Sequence, residues 1–332
     1  MKLPARLAIA TLLCAPGVMG QASGVDVRLD RLAALGKLWA AAKYFHPFLS
    51  YRDIDWDGAL LAALPRAAGA RSAGEYEDAV QSMLSRLGDP ATVVERAAPA
   101  PARSSPDAPP LARKTEDGIL VITINPETAS SESLLREAGA QIAKARGVVF
   151  DLRSQEQWNG QGSSTVGLLF IAGGFNRQLA FGPLKAPGHR SRIHSGLSST
   201  RDGGSVYFHS AFYVRDGALI EPAAGVSEKP VVFLVDASSN LPPIAAALQA
   251  AGKARVVAEK GMSDASLVER SRIELAGGVR VQLRLTELVY EDGTTGFSPD
   301  VVLTERALET ALELARNPGS ATAAPRPRPP AY

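Results

Sequence analysis

The sequence predicts an α/β chain, α+β overall: a small N-terminal helical unit followed by a core with a mixed, partly parallel β-sheet flanked by helices. Three observations predict it. Residues 26–88 carry three apolar repeats of helical period, with capping residues between them. A segment reading APAPARSSPDAPPLAR then breaks all periodicity. From residue 119 onward, short Val/Ile-rich runs alternate with helical stretches, the pattern that builds a parallel sheet. A hydrophobic content of 45% and a charged content of 21% over 332 residues are those of a globular protein of this kind.

The elements follow in order. Residues 1–22 read as a secretory signal: Lys2 and Arg6 make a basic start, Leu7 to Cys14 an apolar stretch too short to span a bilayer, and Gly20 and Ala22 a small-residue cleavage site. The expectation is export to the periplasm or the medium, with no membrane insertion after cleavage. Leu13 before Cys14 lacks the small residue that a lipid-attachment site requires. Cys14 is the only cysteine, so the mature chain has no disulfide, thiol nucleophile or thiolate metal ligand.

The helical unit spans 26–94. Its first helix, 26–45, places Leu29, Leu32, Leu35, Leu38 and Trp39 mostly on one face, and Pro47 ends it. Asp55-Trp56-Asp57 caps a second helix that turns Leu60, Leu61 and Leu64 inward. Ser72 with Glu75 forms a capping box for a third, ending near Gly88.

Residues 95–115 are the linker, 116–316 the core, and 317–332 a Pro/Arg/Ala-rich tail with the composition of disordered chain. In the core, strands are expected at 119–124, 148–152, 206–214, 231–235 and 255–258. Helices are expected at 130–145, 166–172, 240–251 and 304–315. A hairpin, 266–275 with 279–285, turns at Ala276-Gly277-Gly278.

A net charge of +2 is too small to point to nucleic acid or an anionic membrane. Nor do aromatic residues interleave with basic clusters as single-strand binding requires. His189, His194 and His209 lack the ligand spacing of a metal site, and read as surface or groove histidines. His46 reads as packed and hydrogen-bonded. No cofactor is implied, and oligomeric state is not legible.

Five segments stand out. Val235 to Ile244, VDASSNLPPI, joins an apolar strand to an Ala-rich helix containing Ala245-Ala246-Ala247-Leu248-Gln249. The others are Leu38 to Asp57, Leu87-Gly88-Asp89-Pro90 with Thr92, Val149-Phe150-Asp151-Leu152-Arg153, and Gly296-Phe297-Ser298-Pro299-Asp300. In order and spacing, this set resembles the carboxy-terminal processing (tail-specific) serine peptidase family. The resemblance covers about Leu32 to Ala315. It implies a peptidase core that acts on polypeptides, typically protein C-terminal segments.

It also implies positions for the machinery. The A-L-Q register puts Ser239 on the nucleophile. The family's base is a lysine in a motif like G-E-x-T-x-G-K-G; here Glu259 matches the glutamate and Asp264 stands at the lysine position, with Lys260 as an alternative base. Asn240, Leu241, Ser154 and Gln155 fall where oxyanion and substrate contacts are expected. The departures are consistent with one another. Ala91 replaces a histidine, Pro242 a glutamate, and Ser154 to Trp158 the glycines after the D-L-R strand. The peptide-binding PDZ module is absent.

A serine hydroxyl needs a neighbouring base. An ionised aspartate, with an ordinary pKa near 3.9, is a poor one, and it repels a developing oxyanion. Pro242 and Pro243 offer no N–H to that oxyanion. The sequence therefore leaves two readings: an exported serine peptidase of impaired activity acting through Ser239, or a non-catalytic relative that binds or scaffolds polypeptide. Ser238 and Ser239 have a plain alternative role as caps of the following helix. Asp151 with Arg153 reads as an internal ion pair, and Glu259 as the partner of a nearby cation.

Overall fold

The computed structural model describes residues 24–96, 112–124, 132–153, 170–171, 174–195, 209–320, 326 and 328–329. Residues 1–23, 97–111 and 154–169, on which the expected signal, most of the expected linker, Ser154 and Gln155 fall, lie outside these. Among the described residues no helix is long and apolar enough to cross a membrane.

Three helices open the chain: α1 (Gly24–Phe45), α2 (Trp56–Gly69) and α3 (Ala73–Leu84). Their caps are those the sequence offers. Asp55 accepts the Gly58 amide at 2.8 Å, and Ser72 accepts that of Glu75 at 3.1 Å. Glu75 reaches back to the Arg71 amide at 2.7 Å. Leu35, Leu38, Tyr76, Val80 and Met83 form the core of this unit, which closes on Val281 and Leu283. Those two belong to β12 (Arg280–Arg284), the middle strand of a small antiparallel sheet between β1 (Val93–Val94) and β11 (Arg270–Glu274). The helical unit therefore completes its core with a hairpin from the C-terminal half.

The main sheet has six strands, ordered β14 (Val301–Leu303), β10 (Ala254–Glu259), β9 (Val231–Val235), β4 (Gly147–Asp151), β3 (Ile119–Thr123) and β2 (Ala112–Lys114). All neighbours are parallel except β2 with β3. Parallel neighbours need a crossover, supplied by α4 (Glu132–Lys144) between β3 and β4 and by α6 (Pro243–Ala250) between β9 and β10. Strands buried on both faces read as continuous apolar runs, as VVFLV does. On one face Phe150 stacks on Phe233 at 5.4 Å beside Phe170 and Phe175. Phe175 opens the short helix α5 (Phe175–Leu179). The other face is covered by α7 (Ala307–Arg316).

Two small sheets lie beside this one. β13 (Thr286–Val289), β6 (Gly188–His194) and β7 (Ser210–Arg215) are antiparallel, and β5 (Leu184–Lys185) pairs β8 (Leu219–Ile220).

The α/β architecture agrees with the expectation from sequence, and several boundaries differ. α6 begins at Pro243 rather than at residue 240. The residue before a proline is driven out of the helical region, and Pro242 is itself extended at ψ 146. The hairpin begins at Arg270, because Ala265–Leu267 forms a 3-10 turn. β2 occupies the end of the segment read as linker. β6 and β13 were not expected from the sequence. Of the helix expected over 166–172, only 170 and 171 are described.

Candidate active site

The turn after β9 ties Ser239 into the fold from three sides. Its Oγ accepts the Asp236 amide at 2.8 Å, and lies 2.7 Å from the Leu152 carbonyl and 2.8 Å from Asp236 Oδ1. A hydroxyl has one proton to donate, so it serves one of these two oxygens at a time. The same Asp236 Oδ1 accepts from the Ser238 amide at 2.9 Å and the Ser238 hydroxyl at 2.7 Å. Ser239 is 6% exposed. It joins the end of β4 to the β9 turn, and among the described residues no basic nitrogen bonds its hydroxyl.

The expected oxyanion donors are placed as follows. The Leu241 amide is 2.8 Å from Ser266 Oγ, to which it donates. Asn240 is engaged as well. Ser154 and Gln155 lie outside the described residues. Lys260 has an exposed side chain and a left-handed backbone (φ 60), with its amide bonded to the Leu303 carbonyl at 2.7 Å.

Asp264, at the lysine position, is 8% exposed and bound to Arg284. Arg284 Nη1 donates to its Oδ2 at 3.1 Å, and Nη2 to its Oδ1. The same guanidinium donates from Nε and Nη2 to Asp89 Oδ1 at 3.0 and 2.8 Å. Asp89 Oδ2 accepts from Thr92 Oγ1 at 2.6 Å and lies 2.9 Å from His46 Nε2. Thr92 Oγ1 accepts the Arg284 amide at 3.0 Å. This makes one buried chain, His46–Asp89–Arg284–Asp264, from the helical unit through β12 to the loop after β10. Reading the sequence assigns Arg284 to no site, but one signal was present. An arginine between Leu283 and Leu285 in a strand that packs on both sides needs a buried counter-ion.

His46 Nδ1 accepts the Phe48 amide at 3.2 Å, so its proton sits on Nε2 and is donated to Asp89. Burial pushes its pKa below 6.5, outweighing the upward pull of Asp89. At Asp89, burial works upward, but the His46 hydrogen bond and the Arg284 charge outweigh it. They hold the carboxyl well below the usual carboxylate range. For both groups the unfolded chain takes the proton first as pH falls. Stability is thus full above the unfolded values and declines below 6.5 through His46, then below 3.8 through Asp89. His46→Gln keeps a donor toward Asp89 and removes one titration. It is expected to flatten the dependence of urea-unfolding free energy on pH between 7 and 5. A slope equal to that of the wild type would refute this assignment.

The remaining motif residues also hold the fold. Asp151 accepts from Arg153 Nε and Nη2 at 2.9 and 2.8 Å, and Arg153 Nη1 donates to Glu259. The expected internal ion pair thus includes Glu259. Asp300 Oδ2 accepts the Val256 amide at 2.7 Å and Gln249 Nε2 at 2.9 Å. The Ala-rich helix is thereby fastened to the Gly296–Asp300 turn. His194 stacks on Tyr44 at 4.3 Å, and His189 Nδ1 lies 3.4 Å from Thr286 Oγ1. Among the described residues no group of three or more His, Cys, Asp or Glu is placed to hold a metal ion.

A cavity of about 410 Å³ opens beside this region, lined by Pro243, Ala246, Ser266 and Leu267 on one side and Pro187 and Gly217 on the other.

No protein-family profile and no curated protein matches the chain in sequence. Solved structures match it in fold. A candidate peptidase from Parabacteroides merdae ATCC 43184 has a TM-score of 0.57 at 14% identity, over 88% of this chain and 98% of that one. A serine-to-alanine mutant of CPAF has a TM-score of 0.55 at 9% identity, over 90% and 100%. Mature CPAF has 0.51 at 10% identity, over 90% and 100%. Identities this low speak to fold alone, and the fold is peptidase-like.

Proposed function

We propose, from this peptidase-like fold, that the chain is an exported polypeptide-binding protein that has kept the scaffold of a peptidase without its hydrolytic step. The observation that carries the reading is the bonding around Ser239 and Asp264. The serine hydroxyl is spent on Asp236 and Leu152, and the aspartate on Arg284. Neither arrangement supplies a neutral base within reach of the hydroxyl. Among the described residues the carboxylate that touches it is Asp236, which already accepts from Ser238 twice.

A serine peptidase acting through Ser239 is the second reading, favoured by the fold of the solved relatives and by the strand-to-helix position of the serine. The two separate on chemistry. Under the first, the purified wild type leaves unfolded casein and peptides with apolar C-termini intact at pH 7–8. It also takes up no serine-directed fluorophosphonate probe. Ser239→Ala then costs about 1–3 kcal/mol of stability through its lost hydrogen bonds, with polypeptide binding unchanged. Turnover or probe labelling in the wild type, abolished in Ser239→Ala, would overturn the non-catalytic reading.

A further inference from the structure

The cavity beside the Ser239 turn does not end there. A second, of about 500 Å³, adjoins it and runs past Ala247 and Ala250 of α6 and Ala251 at its cap to Tyr290 and Asp292. The two share Ala186, Pro187, Asp216 and Gly217 in their walls. Together they form a groove along the length of α6. On the α6 side it is lined by alanines, and in the opposite wall Gly217 packs against the Ala186 carbonyl where no Cβ fits.

The far end of this groove is built for a cation. Tyr290 is 7% exposed, and burial pushes its hydroxyl up to about 12, so its ring is a neutral π face. The turn after it is rigid: Gly293 N bonds Tyr290 O and Tyr290 N bonds Thr294 O, each at 2.9 Å. Asp292 Oδ1 takes the Thr294 hydroxyl proton at 2.6 Å, which leaves Thr294 Oγ1 as an acceptor. Asp216, Glu291 and Asp292 stand on the rim, with Lys185 paired to Glu291 at 3.0 Å, which leaves Asp216 and Asp292 as its carboxylates not matched by that lysine.

A residue from the C-terminal segment fills this end. The Arg326 guanidinium lies 3.9 Å from the Tyr290 ring centre, and its Nε donates to Thr294 Oγ1 at 3.2 Å. Arg328 Nη2 donates to the Asp292 carbonyl at 2.6 Å. Both arginines belong to the run Pro325-Arg326-Pro327-Arg328-Pro329-Pro330. Proline fixes φ, so such a run loses little backbone freedom when it binds.

The geometry points to an arginine-recognition pocket at the C-terminal end of α6, occupied in cis by Arg326, so that the chain carries its own ligand. The groove accepts a proline-flanked, arginine-bearing polypeptide in trans when that segment is displaced. This rests on the polypeptide-binding reading and adds what is bound. A tethered ligand acts at an effective concentration in the millimolar range, so the tail excludes weaker competitors.

The test uses the full chain. A fluorescent peptide of residues 321–332 is titrated against wild type and against Arg326→Ala/Arg328→Ala. The expected result is saturable binding to the double variant and binding at least about tenfold weaker to the wild type. Adding Tyr290→Phe to the double variant keeps the affinity, because the ring face remains. Adding Tyr290→Leu lowers it by about tenfold. A peptide with both arginines changed to alanine does not bind. Equal binding to wild type and double variant, or equal binding of the arginine-free peptide, would overturn the proposal. Unfolded casein is the control arm. Casein bound without the tail peptide sinks this inference alone, and neither bound sinks the polypeptide-binding reading as well.

Discussion

Arg284→Met is expected to lower the free energy of unfolding by about 3–5 kcal/mol at pH 7, because it leaves Asp89 and Asp264 buried without their counter-charge. The guanidinium side chain is 2% exposed and donates to both carboxylates. Asp89, whose carboxyl Arg284 helps to hold below the usual range, then relieves the penalty by taking up a proton more readily, so the deficit shrinks as pH falls toward 4. Urea unfolding of wild type and variant at pH 7 and at pH 4.5 measures both effects. Adding Asp264→Asn to Arg284→Met removes one unpaired charge and recovers part of the loss. A deficit below about 1 kcal/mol at pH 7, or one independent of pH, would show that the network contributes little to holding the helical unit on the core.

Asp264→Lys restores the residue type that the family resemblance places there, and it is expected to fail for a structural reason. The new ammonium would face the Arg284 guanidinium, and the charge of Asp264 that now offsets Arg284 beside Asp89 would be lost. The expected cost is at least as large as that of Arg284→Met, about 3 kcal/mol or more, with no peptide hydrolysis by the folded fraction. Combining Asp264→Lys with Arg284→Met is expected to regain stability, since the lysine can then serve Asp89. Thermal unfolding of the two variants side by side decides it. A single variant as stable as the wild type would mean that Asp264 and Arg284 are not coupled. Hydrolysis by that variant would return Ser239 to a working nucleophile.

The resemblance was legible in this sequence because its residues are hydrogen-bond hubs of the fold. Asp89 gathers His46, Thr92 and Arg284. Asp300 gathers Gln249 and Val256. Asp151 gathers Arg153, and through it Glu259. Bonds of this kind hold the architecture whether or not a reaction runs nearby, so these residues announced the fold and left the chemistry open. β6 and β13 were missed from sequence for one shared cause. β6 reads GHRSRIH and turns Arg190 inward, where it donates to Glu287 of β13 from Nε at 3.0 Å, with Tyr51 donating to the other carboxylate oxygen at 2.8 Å. A buried charge pair removes the alternation of apolar and polar residues by which a half-buried strand is recognised. The early helix start failed on local sterics at Pro242 and Pro243, and Leu241 instead gives its amide to Ser266. Nothing short of tertiary structure could show that Asp264 and Asp89 share one arginine.

The cover that α7 provides has a consequence for how the chain is made. Ala307, Ala311 and Leu314 seal Val121, Val149, Val232, Leu234 and Val257 on the second face of the six-stranded sheet. Gly147 approaches the same helix so closely that an added Cβ would lie 2.8 Å from the Ala315 carbonyl. Synthesis runs from the N-terminus, so every parallel strand except β14 is complete well before this helix exists. Until then an apolar β-surface stands open, the kind of surface on which chains associate. Closing that surface depends on residues 307–316, and a polypeptide cut short of Ala307 is expected to leave it exposed and to associate through it.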